Sequence, residues 1–180
     1  MKFSSIIAPL ALASSVTATA IRNRDWSDWQ NCLSQTQAET IVNQYASILT
    51  HSDPTTANTT AQALLDVNYT EISDSILSLE GQPLGTATFV GKDTYITGVL
   101  ESPPVTGINT LEIDVANCNK ILWYWKFTGI GSEEYEIKGF NLFTITPAGQ
   151  INQTNLEFNS IAWALDTGYQ VIFPTSTTVT

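Results

Sequence analysis

Residues 120 to 127 read KILWYWKF. Trp123, Trp125 and Phe127 fall on every second position, with Leu122, Tyr124 and Lys126 between them. A strand sends alternate side chains to opposite faces. The stretch therefore presents one face of large rings and another carrying a phenol and an ammonium. The ring face has the greater apolar surface to bury, so Trp123, Trp125 and Phe127 are expected inward, as core or as the wall of a ligand pocket. Tyr124 and Lys126 are expected outward.

The segments on either side extend this pattern. Leu111, Ile113 and Val115 alternate with Glu112, Asp114 and Ala116. Beyond a Gly129-Ile130-Gly131 turn, residues 135 to 145 read as a strand. After a Pro147-Ala148-Gly149 turn, residues 151 to 165 read as one more. Four long antiparallel strands joined by hairpins account for this half. The first half differs. Ala38, Ile41, Val42, Tyr45, Ile48 and Leu49 recur at helical spacing behind a Ser34 or Thr36 cap, and Asp53-Pro54 stops that helix. A second helix is expected from Thr59 or Thr60 through Leu65, a short strand over 68–75, a turn at 81–85 and a third helix over 92–100. Helices first and a strand meander afterwards mean α+β.

The ends are of another kind. Lys2, the apolar run from Ile6 to Ala13 and Ala18-Thr19-Ala20 match a secretory signal peptide over residues 1–20. The run is too short to span a bilayer. Residues 21–32 read as an arm, 33–169 as the single domain, and 170–180 as a Thr-rich tail. Asn58, Asn68 and Asn152 each open an N-glycosylation sequon. Cys32 and Cys118 are the only two cysteines. In a secreted chain they are expected to form a disulfide, with free thiols or a catalytic cysteine as the rival reading. The formal charge of −10 repels phosphate backbones and anionic lipid. Neither nucleic acid nor membrane is therefore an expected partner.

The order of elements resembles the nuclear transport factor 2-like superfamily, in which helices pack into the hollow of a strongly curved antiparallel sheet that forms a cone. The phrases SDSILSLEGQPLG (73–85), KGFNLFTITPAGQI (138–151) and EFNSIAWALDTGY (157–169) look like small secreted fungal proteins of this type. The resemblance implies an apolar pocket that takes a small hydrophobic ligand, and a homodimer through the outer sheet face, where Leu122 and Tyr124 would lie. The superfamily includes SnoaL-like cyclases, ketosteroid isomerase, scytalone dehydratase and limonene epoxide hydrolase, along with members that only bind, so function must come from the site.

In such a pocket a carboxylate gains basicity by desolvation. Asp74 is the first candidate base, because it follows the second helix where the ketosteroid-isomerase type carries its base. The alternative is that Asp74 orders its own turn. Tyr45 and Glu157 are the candidate proton donors or orienting groups. Asn159 shares the expected face of the last strand with Glu157 and joins Trp123, Trp125 and Phe127 as a ligand contact. His51, the one histidine, reads as a surface cap of the first helix. The dehydratase pair of histidines is absent, and the only arginines, Arg22 and Arg24, lie in the arm, so the epoxide-hydrolase constellation fails too. No metal-ligand cluster is present in the sequence and no cofactor is expected. The expected function is a secreted, non-catalytic module that binds a small hydrophobic molecule or a protein. The alternative is a cofactor-free isomerase, dehydratase or cyclase acting on a polyketide or terpenoid.

Overall fold

The computed structural model describes residues 32–172. The leader, the arm before Cys32 and the tail from residue 173 lie outside the described residues. The chain order is α1 (Gln35–Thr50), α2 (Pro54–Leu64), β1 (Leu65–Ile72), α3 (Asp74–Glu80), β2 (Ala87–Val90), α4 (Lys92–Glu101), β3 (Gly107–Ala116), β4 (Lys120–Thr128), β5 (Ile137–Ile145), β6 (Ile151–Phe158) and α5 (Ser160–Asp166). The six strands form one open sheet in the order β2-β1-β6-β5-β4-β3. Every pairing is antiparallel except β1 with β6, which is parallel. A wholly antiparallel sheet is thereby corrected. β1 and β6 are far apart in the chain, so helices and hairpins together make the crossover that a parallel pair requires.

The opening stretch behaves as its alternation demands. Ile121, Trp123, Trp125 and Phe127 of β4 are buried, and the residues between them are half-buried. On the facing helix, Tyr45 meets Trp123 edge-on at 6.2 Å and Phe143 at 4.8 Å between ring centroids. On the opposite sheet face Tyr124 stacks on Phe140 at 4.5 Å, and Phe140 is 46% exposed. Lys126 and Lys138, cross-strand partners there, both reach Glu136 at 2.7 Å.

The helices begin where short polar side chains can satisfy free backbone N–H groups. Ser34 and Gln37 form a reciprocal capping box at α1. Asp53 caps α2 and Pro54 opens it, so that helix starts five residues earlier than Thr59. Proline suits a first helical position, where its missing N–H costs nothing. Ser73 caps α3 by accepting from Ile76 N. The strand expected over 68–75 is consequently shifted to 65–72, and Asp74 and Ser75 lie in a helix. β2 was not anticipated. The last strand likewise ends at Phe158, because Asn159 Oδ1 accepts from Ala162 N and starts α5. Ile161 and Trp163 are therefore helical.

Cys32 and Cys118 are bridged. Beside the bridge Leu33 N donates to Cys118 O at 2.9 Å. Together they fasten the entrance of α1 to the β3–β4 hairpin turn. Asn58 and Asn68 are exposed on α2 and β1, and Asn152 is half-buried on β6.

Candidate active site

Within β1 the inward side chains are Leu65, Tyr69 and Glu71. Glu71 is 2% exposed and faces the helices instead of water. Tyr45 of α1 donates to its Oε2 at 3.2 Å. Tyr69 Oη lies 3.4 Å from the same oxygen and 2.9 Å from Thr154 Oγ1. Tyr95 of α4 donates to Tyr45 Oη at 2.6 Å. Two tyrosines thus meet one carboxylate oxygen, and Tyr95 supports one of them. Charge-assisted bonds of this kind are the strong ones, and they orient the carboxylate. Oε1 has no hydrogen-bond partner among the described residues.

Burial raises the Glu71 carboxyl to about 7, although the bonds from Tyr45 and Tyr69 favour its charged form and pull the other way. Desolvation is the larger effect because the group is cut off from water on nearly every side. Burial likewise pushes Tyr45, Tyr69 and Tyr95 well above the ordinary phenol range. The tyrosines therefore stay protonated and remain donors, while Glu71 divides between acid and base near neutral pH.

Glu71 borders a cavity of about 360 Å³. Tyr45, Tyr95, Trp125, Phe127, Phe158 and Trp163 supply most of its aromatic wall. Ile76 and Leu79 of α3 and Val99 of α4 close other sides, and no lysine or arginine lines it. The polar lining groups besides Glu71 and the phenols include His51, Glu80, Ser102 and Asn141. His51 is the C-cap of α1, as expected, but it is 7% exposed and faces the cavity. That corrects its reading as a surface residue: Val105, which follows α4, donates its N–H to Leu49 O and covers that helix end.

The anticipated site residues separate into two groups. Tyr45, Trp125 and Phe127 line the cavity. Trp123 is fully buried behind that wall, against Tyr45. Asp74, Glu157 and Asn159 lie away from the lining. Asp74 Oδ1 accepts from Gly85 N at 2.7 Å and closes the loop after α3. Glu157 is exposed, on the sheet face opposite Leu156 and Phe158. Its carboxylate accepts from Asp74 N at 2.9 Å and Ser75 N at 3.0 Å, and from Ser75 Oγ. Asn159 is the cap of α5. Glu71 went unremarked as a candidate, although its alternation with Tyr69 was visible in NYTEIS. A carboxylate two positions from a tyrosine on a strand that flanks an apolar core was the available signal.

Among the described residues no group of three or more histidine, cysteine, aspartate or glutamate side chains is placed to hold a metal ion. No described helix is long and apolar enough to cross a membrane.

The profile of the NTF2-like domain matches residues 31–170. The chain belongs to the NTF2-like family. Solved structures share the fold at low identity. A candidate isomerase from Bacillus subtilis is 12% identical, with a TM-score of 0.60, over 77% of this chain and 97% of its own. A SnoaL-like protein from Burkholderia thailandensis is 11% identical, with a TM-score of 0.55, over 71% and 98%. A steroid delta-isomerase from Pseudomonas aeruginosa is 10% identical, with a TM-score of 0.51, over 74% and 90%. At such identities the likeness to this NTF2-like chain is one of fold. Among proteins of curated function none matches this sequence.

Proposed function

We propose that this NTF2-like protein is a cofactor-free isomerase, dehydratase or cyclase that takes an apolar, uncharged small molecule into the cavity, with Glu71 as the group that moves the proton. One observation carries this reading: a buried carboxylate, fixed by two tyrosines and held at about 7, borders a space large enough for a small molecule. A carboxylate of ordinary basicity is a poor base toward carbon. One raised to neutrality combines available base with real driving force. Glu71 would take a proton from a carbon next to a carbonyl and return it to another carbon, or hand it to a hydroxyl on the neighbouring carbon, which then leaves as water. Tyr45, itself accepting from Tyr95, holds Oε2 and leaves Oε1 for the reacting atom. The aromatic walls exclude water, which strengthens these interactions. The apolar lining supports a polyketide or terpenoid ring as the substrate class.

Non-catalytic binding of the same ligand is the second reading. Asp74 and Glu157 enter our proposal as supports of α3, whose Ile76 and Leu79 border the cavity, while Asn159 supports α5 and Trp163. The leader-like residues 1–20 and the disulfide support secretion, for which exposed Asn58 and Asn68 are suitable glycan carriers. The Tyr124–Phe140 pair supports a homodimer through the outer sheet face, which sedimentation of Phe140→Glu against the parent would test.

The test of the chemistry is exchange into D₂O. A panel of cyclic β,γ-unsaturated ketones is incubated with the protein, and deuterium at the carbon next to the carbonyl is followed by NMR. Glu71→Gln should slow the exchange by about 10²–10⁴-fold while retaining ligand binding. Exchange unchanged in that variant would remove Glu71 as the base, and binding without exchange by the parent would return the protein to the non-catalytic reading.

A further inference from the structure

The cavity holds a second buried polar side chain, Asn141 of β5, which is 2% exposed. Trp125 Nε1 donates to Asn141 Oδ1 at 2.6 Å. An indole nitrogen can only donate, so this bond decides which way the amide points. Its oxygen faces Trp125, and its NH₂ is left over. Nδ2 has no partner among the described residues. It is not sealed off either: among the described residues, the fully buried side-chain atoms without partners are Asn152 Oδ1 and Asp166 Oδ2, and Asn141 Nδ2 is not one of them. Asn141 Nδ2 is thus open to the cavity that its residue lines.

The clamp depends on a glycine. Trp125 lies opposite Gly139 in the β4–β5 register. A Cβ on Gly139 would stand 2.6 Å from Trp125 Cζ2 and 2.6 Å from Glu157 O. The missing side chain leaves room for the indole beside Gly139, from where Nε1 reaches Asn141, the next inward residue along that strand. Phe127 stacks on the same indole at 3.8 Å and holds its tilt.

We propose that Asn141 is the ligand-anchoring donor of the cavity, and that the molecule bound there carries a carbonyl oxygen on an uncharged ring system. This rests on the reading of the cavity as a small-molecule site, and it adds the end of the ligand that Glu71 does not address. An unpartnered NH₂ in a largely apolar cavity selects for an acceptor, because a ligand lacking one leaves the donor unpaired. An anion is disfavoured by Glu71 and by the absence of any lysine or arginine in the lining. Trp125 is a positioning residue: it fixes the amide for its ligand.

Three naphthalenes of similar size test this: 2-acetylnaphthalene, 2-ethylnaphthalene and 2-naphthoate, titrated by quenching of tryptophan emission. The ketone should bind about tenfold tighter than the hydrocarbon, and the carboxylate more weakly than the ketone. Asn141→Leu should remove the ketone's advantage over the hydrocarbon. In the parent protein, the ketone should move the Asn141 side-chain amide signals in ¹H–¹⁵N spectra, and the bound carbonyl stretch should fall in frequency. These readouts need no variant. Trp125→Phe should weaken ketone binding and narrow the frequency shift, which loss of packing alone would not do. Equal affinity for ketone and hydrocarbon, or unmoved Asn141 signals, overturns the inference. Naphthoate binding as tightly as the ketone also overturns it. Failure of all three to bind overturns it together with the cavity reading. Ketone preference without Glu71-dependent exchange sinks only the catalytic reading.

Discussion

A glutamate that borders an apolar space is costly to the fold, and Glu71 lets that cost be measured. Its carboxyl sits at about 7 in the folded protein, against an ordinary 4.5. Between those values the folded chain holds a proton that the unfolded chain has released. Stability therefore falls as pH rises from about 4.5 to 7, and above 7 the full penalty of about 3 kcal/mol applies. Glu71→Gln keeps an acceptor for Tyr45 and loses the charge. It should stabilise the protein by about 3 kcal/mol at pH 8 and hardly at all at pH 4, as read from urea midpoints. A variant that is more stable yet inactive would mark the site as one where function is kept at the expense of stability. The alternation of β4 makes a separate prediction. Trp123 is 0% exposed, so Trp123→Ala should cost about 3–5 kcal/mol. Tyr124→Ala, which loses only a half-buried stack with Phe140, should cost much less, and similar midpoints for the two would overturn the face assignment.

Among the elements, α3 shows how a seven-residue helix is held where a cavity needs a wall. Ser73 caps it from within the chain, Gly81 in the left-handed region (φ 67°) closes it, and Glu157 of β6 bonds its first two N–H groups. A carboxylate at a helix N-terminus satisfies free donors and complements the helix dipole. Glu157→Ala should destabilise the protein by roughly 1–2 kcal/mol. It should also weaken binding of an apolar probe, since Ile76 and Leu79 ride on the same helix; calorimetry would show both effects. Unchanged probe affinity would mean that α3 is not a wall of the working site. Helices α2, α3 and α5 share the reason they were misplaced or missed in the sequence. Each is short, each begins with a cap residue that also reads as a turn, and Thr-rich or β-rich flanks carry a stronger pattern than the helix itself. α1 is long, with a clear apolar stripe, and was legible.

At the scale of the whole molecule, one covalent tie joins the helical half to the sheet. Cys32–Cys118 spans 86 residues, and closing a loop of that length restricts the unfolded chain enough to stabilise the fold by roughly 4–5 kcal/mol in the chain-entropy model. A Cys32→Ser/Cys118→Ser double variant should lose about that much in urea unfolding, even though Leu33 N and Cys118 O can still bond. No loss would mean that the unfolded chain is already compact. The α+β class, the inward rings of β4, the hairpin meander, the pairing of the two cysteines and the membership of Tyr45 in the core were all legible in the sequence, because each depends on local periodicity or on a count. The β1–β6 pairing was not, since a parallel contact between distant segments leaves no local mark. For the same reason the site was only half visible. A strand pattern can turn Tyr69 and Glu71 inward, but it cannot say that Tyr45, Tyr95 and Thr154 come to meet them. Whether a carboxylate is a solvated surface group or a base near neutrality depends on how much water the other elements remove from it, and that is decided only when helix, sheet and hairpin close around it.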